Sequence, residues 1–199
     1  MSGIKKLLVG AGLCLVSVAA SASQITFDNG LNFQSAGFSV AGDNFGEVHC
    51  PSYFTQDTGY CRGLVSGDYT GYMEGVNTIT KIGGGAFDFN SVYLTAAWNH
   101  NLTVQINGLV NGVVKYATTI TGLNDDFSTL YTFDYLGITS LQVITSGGVD
   151  AGTPGGGRHV ALDNVVLDGV PATAQVPVPG SLALVGLGMG LGYLRRRAG

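Results

Sequence analysis

Leu102-Thr103-Val104-Gln105-Ile106-Asn107 alternates apolar and polar side chains, and Asn111-Gly112 separates it from a second alternating run, Val113 to Ile120. A period of two puts Leu102, Val104 and Ile106 on one face of an extended strand. Asn-Gly between two such runs demands positive φ at both positions, the geometry of a two-residue hairpin. This stretch therefore predicts paired antiparallel strands with one buried face. The same pattern spreads outward: Leu141 to Thr145 and Val160 to Leu167 are short, β-branched and apolar. Phe87 and Phe89 share a face, and a change of register is expected near Asn90-Ser91. Gly83-Gly84-Gly85, Gly147-Gly148 and Gly155-Gly156-Gly157 mark loops between these runs. No long stretch has a 3.6-residue apolar period. Many short strands with glycine-rich turns predict an all-β fold, a β-sandwich.

Composition agrees with a single packed domain. The chain has 199 residues, 45% of them hydrophobic and only 11% charged, with 32 glycines. Disordered chains need low hydrophobicity and high net charge, so that class is excluded. The formal charge of −4 averages unlike regions. Lys5 and Lys6 sit at one end and Arg195, Arg196 and Arg197 at the other. Between Ser23 and Thr173 lie four cations and all thirteen acids, a net charge of −9. No basic face can be assembled from four cations, which argues against nucleic acid as a partner.

The ends read as addresses. Lys5-Lys6, the apolar run Leu7 to Ala20 and Ala20-Ser21-Ala22 have the order of a secretory signal peptide over residues 1–22, cleaved between Ala22 and Ser23 by signal peptidase. An uncleaved anchor is the alternative, although the apolar run is shorter than the ~20 residues of a span. The body follows over 23–170 and a proline-containing linker over 171–180. A short apolar helix of transmembrane type is expected over 181–194, with a basic cytoplasmic tail over 195–199. The arginines predict a cytoplasmic C-terminus and an exported body.

Val176-Pro177-Val178-Pro179-Gly180, the glycine-rich apolar run and the Arg195-Arg196-Arg197 cluster together resemble the PEP-CTERM sorting signal of Gram-negative bacteria. The resemblance covers residues 176–199. It implies export, membrane anchoring through the C-terminus, processing by an exosortase, and a final place at the cell surface or in the extracellular matrix. Val178 stands where the family has Glu. An ordinary tail anchor is the other reading.

The exported part keeps Cys50 and Cys61. A cysteine pair in an oxidising compartment predicts a disulfide. Zinc is the alternative, but His49 beside Cys50 leaves the ligand set incomplete.

Residues 87–167 resemble jelly-roll modules of the galactose-binding or carbohydrate-binding type. The likeness rests on Phe89-x-Ser91-x-x-Leu94-x-Ala96 and on the closing strand Ala161 to Leu167. It implies a jelly-roll-like β-sandwich and polysaccharide as a partner. It also implies that Asp163, with Asp28 as the acid available near the first strand, helps hold a structural calcium ion; local backbone hydrogen bonds are the other use of such an Asp. No other cofactor is expected.

Trp98, Tyr93 and Tyr116, with Tyr53 and Tyr60, are the aromatic candidates for stacking on sugar rings, with core packing as the alternative. No catalytic residue is assigned. Asp125-Asp126 reads as a solvated turn, since adjacent acids cannot face each other as glycosidase carboxyls do. His49, His100 and His159 stand apart in sequence from any catalytic motif. The expectation is a non-enzymatic envelope or matrix protein. A carbohydrate-active enzyme on the same fold and a purely structural surface protein are the alternatives.

Overall fold

The computed structural model describes residues 23–50, 55–153 and 155–169. The signal peptide, linker, sorting motif, apolar helix and basic tail expected from the sequence lie outside the described residues. Among those described, nine strands run in order: β1 (Ser23–Ile25), β2 (Phe38–His49), β3 (Tyr69–Lys81), β4 (Phe87–Ala96), β5 (Asn99–Val110), β6 (Val113–Leu123), β7 (Thr129–Ile138), β8 (Ser140–Asp150) and β9 (Val160–Leu167). A one-turn helix, α1 (Gly59–Arg62), lies between β2 and β3.

All pairings are antiparallel, and β3 is the corner of the fold. Its later half, Val76 to Ile79, pairs with β8 and leads through β5 to β6. Its earlier half, Gly71 to Met73, pairs with β9 and leads through β4 to β7. Two leaves thus share one strand and face each other across the core. β2 runs along the outside of β3, and β1 adds to β9 beyond the point where β3 leaves it. The chain passes from one leaf to the other between β4 and β5, β6 and β7, β7 and β8, and β8 and β9. This is a jelly-roll-like β-sandwich.

The core follows the alternation that defines the strands. Leu102, Val104 and Ile106 are buried from one leaf, facing Phe87, Phe89, Leu94, Leu162 and Leu167 of the other. Asn111 and Gly112 have φ of 50° and 81°, so the predicted hairpin turn forms with Val110 opposite Val113. The expected change of register in β4 is present. Pairing slips between Phe89 and Ser91 against both neighbours, and burial moves from Phe89 to Val92. The extra residue keeps apolar side chains inward on both sides of the slip.

Cys50 and Cys61 form a disulfide, with Cα atoms 5.4 Å apart. Of the loop it closes, residues 55–61 are described; they carry most of α1, which packs on the outer face of the β3–β9–β4 leaf. There Cys50, Tyr60, Ala97 and Ala161 make a second small core, bordered by Tyr72 and Trp98. Among the described residues, no helix is long and apolar enough to cross a membrane.

Candidate functional site

The two faces of β2 carry two different clusters. On the side toward α1, Asn44, Gly46 and Val48 lie opposite Glu74, Tyr72 and Thr70 of β3. The Tyr72 ring lies flat on His159, with centroids 5.2 Å apart and planes 9° apart. His159 Nε2 is 2.9 Å from Glu74 Oε2, and its Nδ1 meets the Tyr60 hydroxyl. A proton held on Nε2 by the carboxylate leaves Nδ1 to accept the tyrosine O–H. Glu74 also accepts the Arg158 amide at 2.9 Å and the Asn44 side chain at 3.3 Å. Burial pushes the Glu74 carboxyl up, but the Arg158 amide, Asn44 and His159 outweigh it and hold it below its ordinary value.

This chain of Glu, His and Tyr has the connectivity of a general-base relay. Its end is closed, however. Tyr60 is only 3% exposed, and burial pushes its phenol above the ordinary value against the opposing pull of the Trp98 side chain. Such a hydroxyl neither ionises readily nor meets a substrate. The relay instead ties three parts of the fold together: α1 through Tyr60, the approach to β9 through His159, and β3 through Glu74. Trp98 stands edge-on to Tyr60 at 5.2 Å. Gly155 lies so close to the indole that a Cβ there would be 2.4 Å from the ring, so only glycine lets this loop close over it.

A second tie lies nearby. Asp125 is 1% exposed, with His100 Nδ1 at 2.5 Å and Arg62 of α1 at 3.3 Å. The sequence predicts a solvated turn here. The turn places Asp126 outward, but Asp125 points inward between two basic partners. Arg62 hydrogen-bonds to Oδ2, whereas Oδ1 faces His100 without a hydrogen bond among the described residues.

The other face of β2 is open. Its ladder with β3 slips between Gly42 and Asn44, so Val40 before the slip and Phe45 and Glu47 after it line the same groove. The groove encloses about 400 Å³ between β2 and the segment that precedes it. Phe33 and Phe38 make an apolar floor, and Asn32, Gln34 and Ser39 supply amide and hydroxyl groups at the rim. Phe45 is 45% exposed, so much of its ring is available. Glu47 makes no ion pair or hydrogen bond among the described residues.

The aromatic residues singled out from sequence are scattered. Trp98 belongs to the relay cluster and is partly covered. Tyr116 lies flat on Tyr135, with centroids 4.7 Å apart, and hydrogen bonds to the Leu136 carbonyl at 3.3 Å, so one ring face is used by the fold. Tyr93 lies half-buried on β4 opposite Asp163 and Leu130. None of the three lines the groove, and Tyr53 lies outside the described residues. Phe45 and Glu47 were missed because a slipped ladder changes which residues share a face.

Asp28 and Asp163 do converge, on the loop between α1 and β3. Asp163 Oδ2 accepts the amides of Val65 at 2.7 Å and Ser66 at 2.9 Å, and its Oδ1 accepts that of Asn164 at 2.7 Å. Asp28 Oδ1 accepts the amides of Asp68 at 2.7 Å and Tyr69 at 3.0 Å. Burial pushes the Asp163 carboxyl above its ordinary value. The three amides pull the other way, and the charge of Asp28 adds to the rise. Calcium takes six to eight oxygen ligands. Here five amide donors occupy both oxygens of Asp163 and Oδ1 of Asp28, and among the described residues no three acidic, histidine or cysteine side chains gather. The arrangement is that of an amide clamp; a calcium ion here would need carbonyl oxygens or water beside the two carboxylates.

No family model and no curated protein matches this sequence. Solved structures with a similar fold include the family 32 carbohydrate-binding module from C. perfringens NanJ in complex with galactose, at 11% identity and a TM-score of 0.40. That match covers 74% of this chain and 98% of that one. The tandem CBM22 domains from Paenibacillus barcinonensis Xyn10C match at 12% identity and a TM-score of 0.40, over 80% of this chain and 48% of that one. TmCBM61 in complex with β-1,4-galactotriose matches at 9% identity and a TM-score of 0.37, over 65% and 86%.

Proposed function

We propose that this chain is an exported, non-enzymatic envelope or matrix protein whose β-sandwich binds polysaccharide. The observation that carries this reading is the groove beside β2. An exposed aromatic ring, an apolar floor and a rim of amide and hydroxyl groups are what a sugar ring with one apolar face and several hydroxyls requires. The disulfide supports folding in an oxidising compartment. A binding role is favoured over catalysis by the relay, whose tyrosine is buried and whose carboxylate is fully engaged.

The tail completes the proposal. Pro177, Pro179, Gly180, the apolar run and the three arginines would hold the protein at the inner membrane until an exosortase processes it. A glycan array probed with the full-length chain and with Phe45→Ala tests the groove. Glycan binding lost in the variant is expected; no glycan bound by either protein would leave a purely structural surface role. Deleting residues 176–199 is expected to release the protein into the medium, and unchanged fractionation would sink the sorting reading. Val178→Glu restores the family's charge and is expected to raise processing.

A further inference from the structure

We infer that the groove beside β2 selects cationic amino-sugar chains, with Glu47 as the counter-charge and Phe45 as the stacking platform. The inference rests on the polysaccharide reading and specifies the ligand class at that same site.

Three observations lead to it. First, Glu47 is the charged residue of the groove lining, and it is exposed and unpaired among the described residues. Five carboxylates elsewhere in the fold are already engaged: Glu74 by His159, Asp125 by Arg62 and His100, Asp168 by Lys81 at 2.8 Å, and Asp163 and Asp28 by backbone amides; the groove adds to the free charge of Glu47 an aromatic ring beside it. Second, the strand places Glu47 two residues from Phe45 on the same side, about 7 Å along β2. A sugar stacked on Phe45 therefore has its neighbour in the chain beside the carboxylate. Third, the charge of the whole body agrees. Residues 23–169 carry four cations and thirteen acids. Three of the cations are committed: Arg62 to Asp125, Lys81 to Asp168, and Lys115 to the Leu136 carbonyl at 3.0 Å and the Tyr116 ring. The surrounding field attracts cations and repels uronates.

An ammonium group at the sugar ring would meet Glu47 as an ion pair, while Asn32, Gln34 and Ser39 hydrogen-bond to ring hydroxyls without regard to charge. Neutral chains would then bind through Phe45 and the amides alone, and acidic chains least of all.

The test compares four oligosaccharides by calorimetry with the full-length chain in detergent, at about pH 6, where an amine stays protonated. The probes are β-1,4-linked glucosamine, its fully N-acetylated counterpart, β-1,4-linked glucose and oligogalacturonate. The first three share a backbone and differ at one ring position. The glucosamine chain is expected to bind about fivefold tighter than the N-acetylated chain at low salt, the gain of a partly exposed ion pair. That preference is expected to disappear in Glu47→Gln and to shrink at high salt. Equal affinity for glucosamine and N-acetylated chains, or a preference that survives Glu47→Gln, overturns the inference. If neutral chains bind through Phe45 without any glucosamine preference, the charge selection falls and polysaccharide binding stands. If no chain binds, both fall. Glu47→Gln is a surface change, and an unaltered far-ultraviolet spectrum and melting midpoint confirm that the loss is one of recognition.

Discussion

One strand, β2, borders both a closed cluster and an open one. On one face its neighbours are Tyr72, Glu74, His159 and Tyr60, linked by hydrogen bonds and roofed by the disulfide loop. On the other face Phe45 and Glu47 lack such partners, and the ring is 45% exposed. Both clusters mix aromatic and acidic side chains, so residue type does not separate them. Satisfaction does. A buried polar network is stable only when its members are paired, whereas a binding surface must keep groups in reserve for its ligand. Loss of a member should therefore cost stability on the closed side and recognition on the open side.

The sharpest way to break this contrast is at the disulfide. Cys50→Ser with Cys61→Ser removes the roof of the closed face. A loop of this length contributes about 3 kcal/mol in the chain-entropy model. Chemical denaturation should show a loss near that size. A loss much below about 1 kcal/mol would mean that α1 is held by its other contacts alone, chiefly Tyr60 and the Arg62–Asp125 pair.

Next in size is His159→Ala, which leaves the Tyr60 hydroxyl and Glu74 without their common partner. The cost of stranding such groups is about 1–3 kcal/mol. Glu74→Gln should cost less, and its cost should depend on pH. The folded pKa of Glu74 is lowered, so its contribution is present above the ordinary carboxylate value and is lost as pH falls through the folded value. The stability gap between wild type and Glu74→Gln should thus narrow as pH falls from about 5 to 3. A gap independent of pH would show that Glu74 acts by shape and not by charge. Asp163 has the opposite sign. Its raised folded pKa makes its contribution greatest below the unfolded value and lost as pH rises through the folded one.

How much of this was legible in the sequence follows from distance along the chain. Alternation in Leu102 to Asn107, the Asn111-Gly112 turn and the slip at Asn90-Ser91 are local, and each is present as expected. The Cys50–Cys61 pair was legible because residues 23–170 hold only those two cysteines. The relay was not: Tyr60 and His159 lie 99 residues apart, and nothing near either one announces the other. Arg62 and Asp125 lie 63 residues apart, and two adjacent aspartates look like a turn until one is found buried. The groove depends on the β2–β3 slip, which hydrophobic periodicity does not register because Phe45 and Glu47 are exposed.

Phe45→Ala sharpens the contrast from the open side. An exposed ring contributes little to folding, so the midpoint of thermal unfolding should move by no more than the equivalent of about 0.5 kcal/mol, while glycan binding falls. A larger loss of stability would place Phe45 with the core residues Phe33 and Phe38, and the groove would become packing.

The smallest expected effect is that of chelation. Asp28 and Asp163 would draw a cation if their oxygens were free, because two carboxylates near one loop repel each other; burial is the main cause of the raised Asp163 pKa, and the charge of Asp28 adds to it. Five backbone amides turn toward the two side chains instead, three from the loop (Val65, Ser66 and Asp68), one from the start of β3 (Tyr69) and one from β9 (Asn164). Each amide brings a partial positive charge at 2.7 to 3.0 Å, and hydrogen bonds of this charge-assisted kind are the stronger ones. A calcium ion entering between the carboxylates would have to displace some of those donors, which lie at part-buried and exposed positions. The melting midpoint is therefore expected to be the same with chelator, with calcium and with neither. A rise on adding calcium would show that the clamp can reorganise, exchanging amides for carbonyl oxygens. The loop between α1 and β3 would then behave like the open face of β2, with groups held in reserve for a ligand.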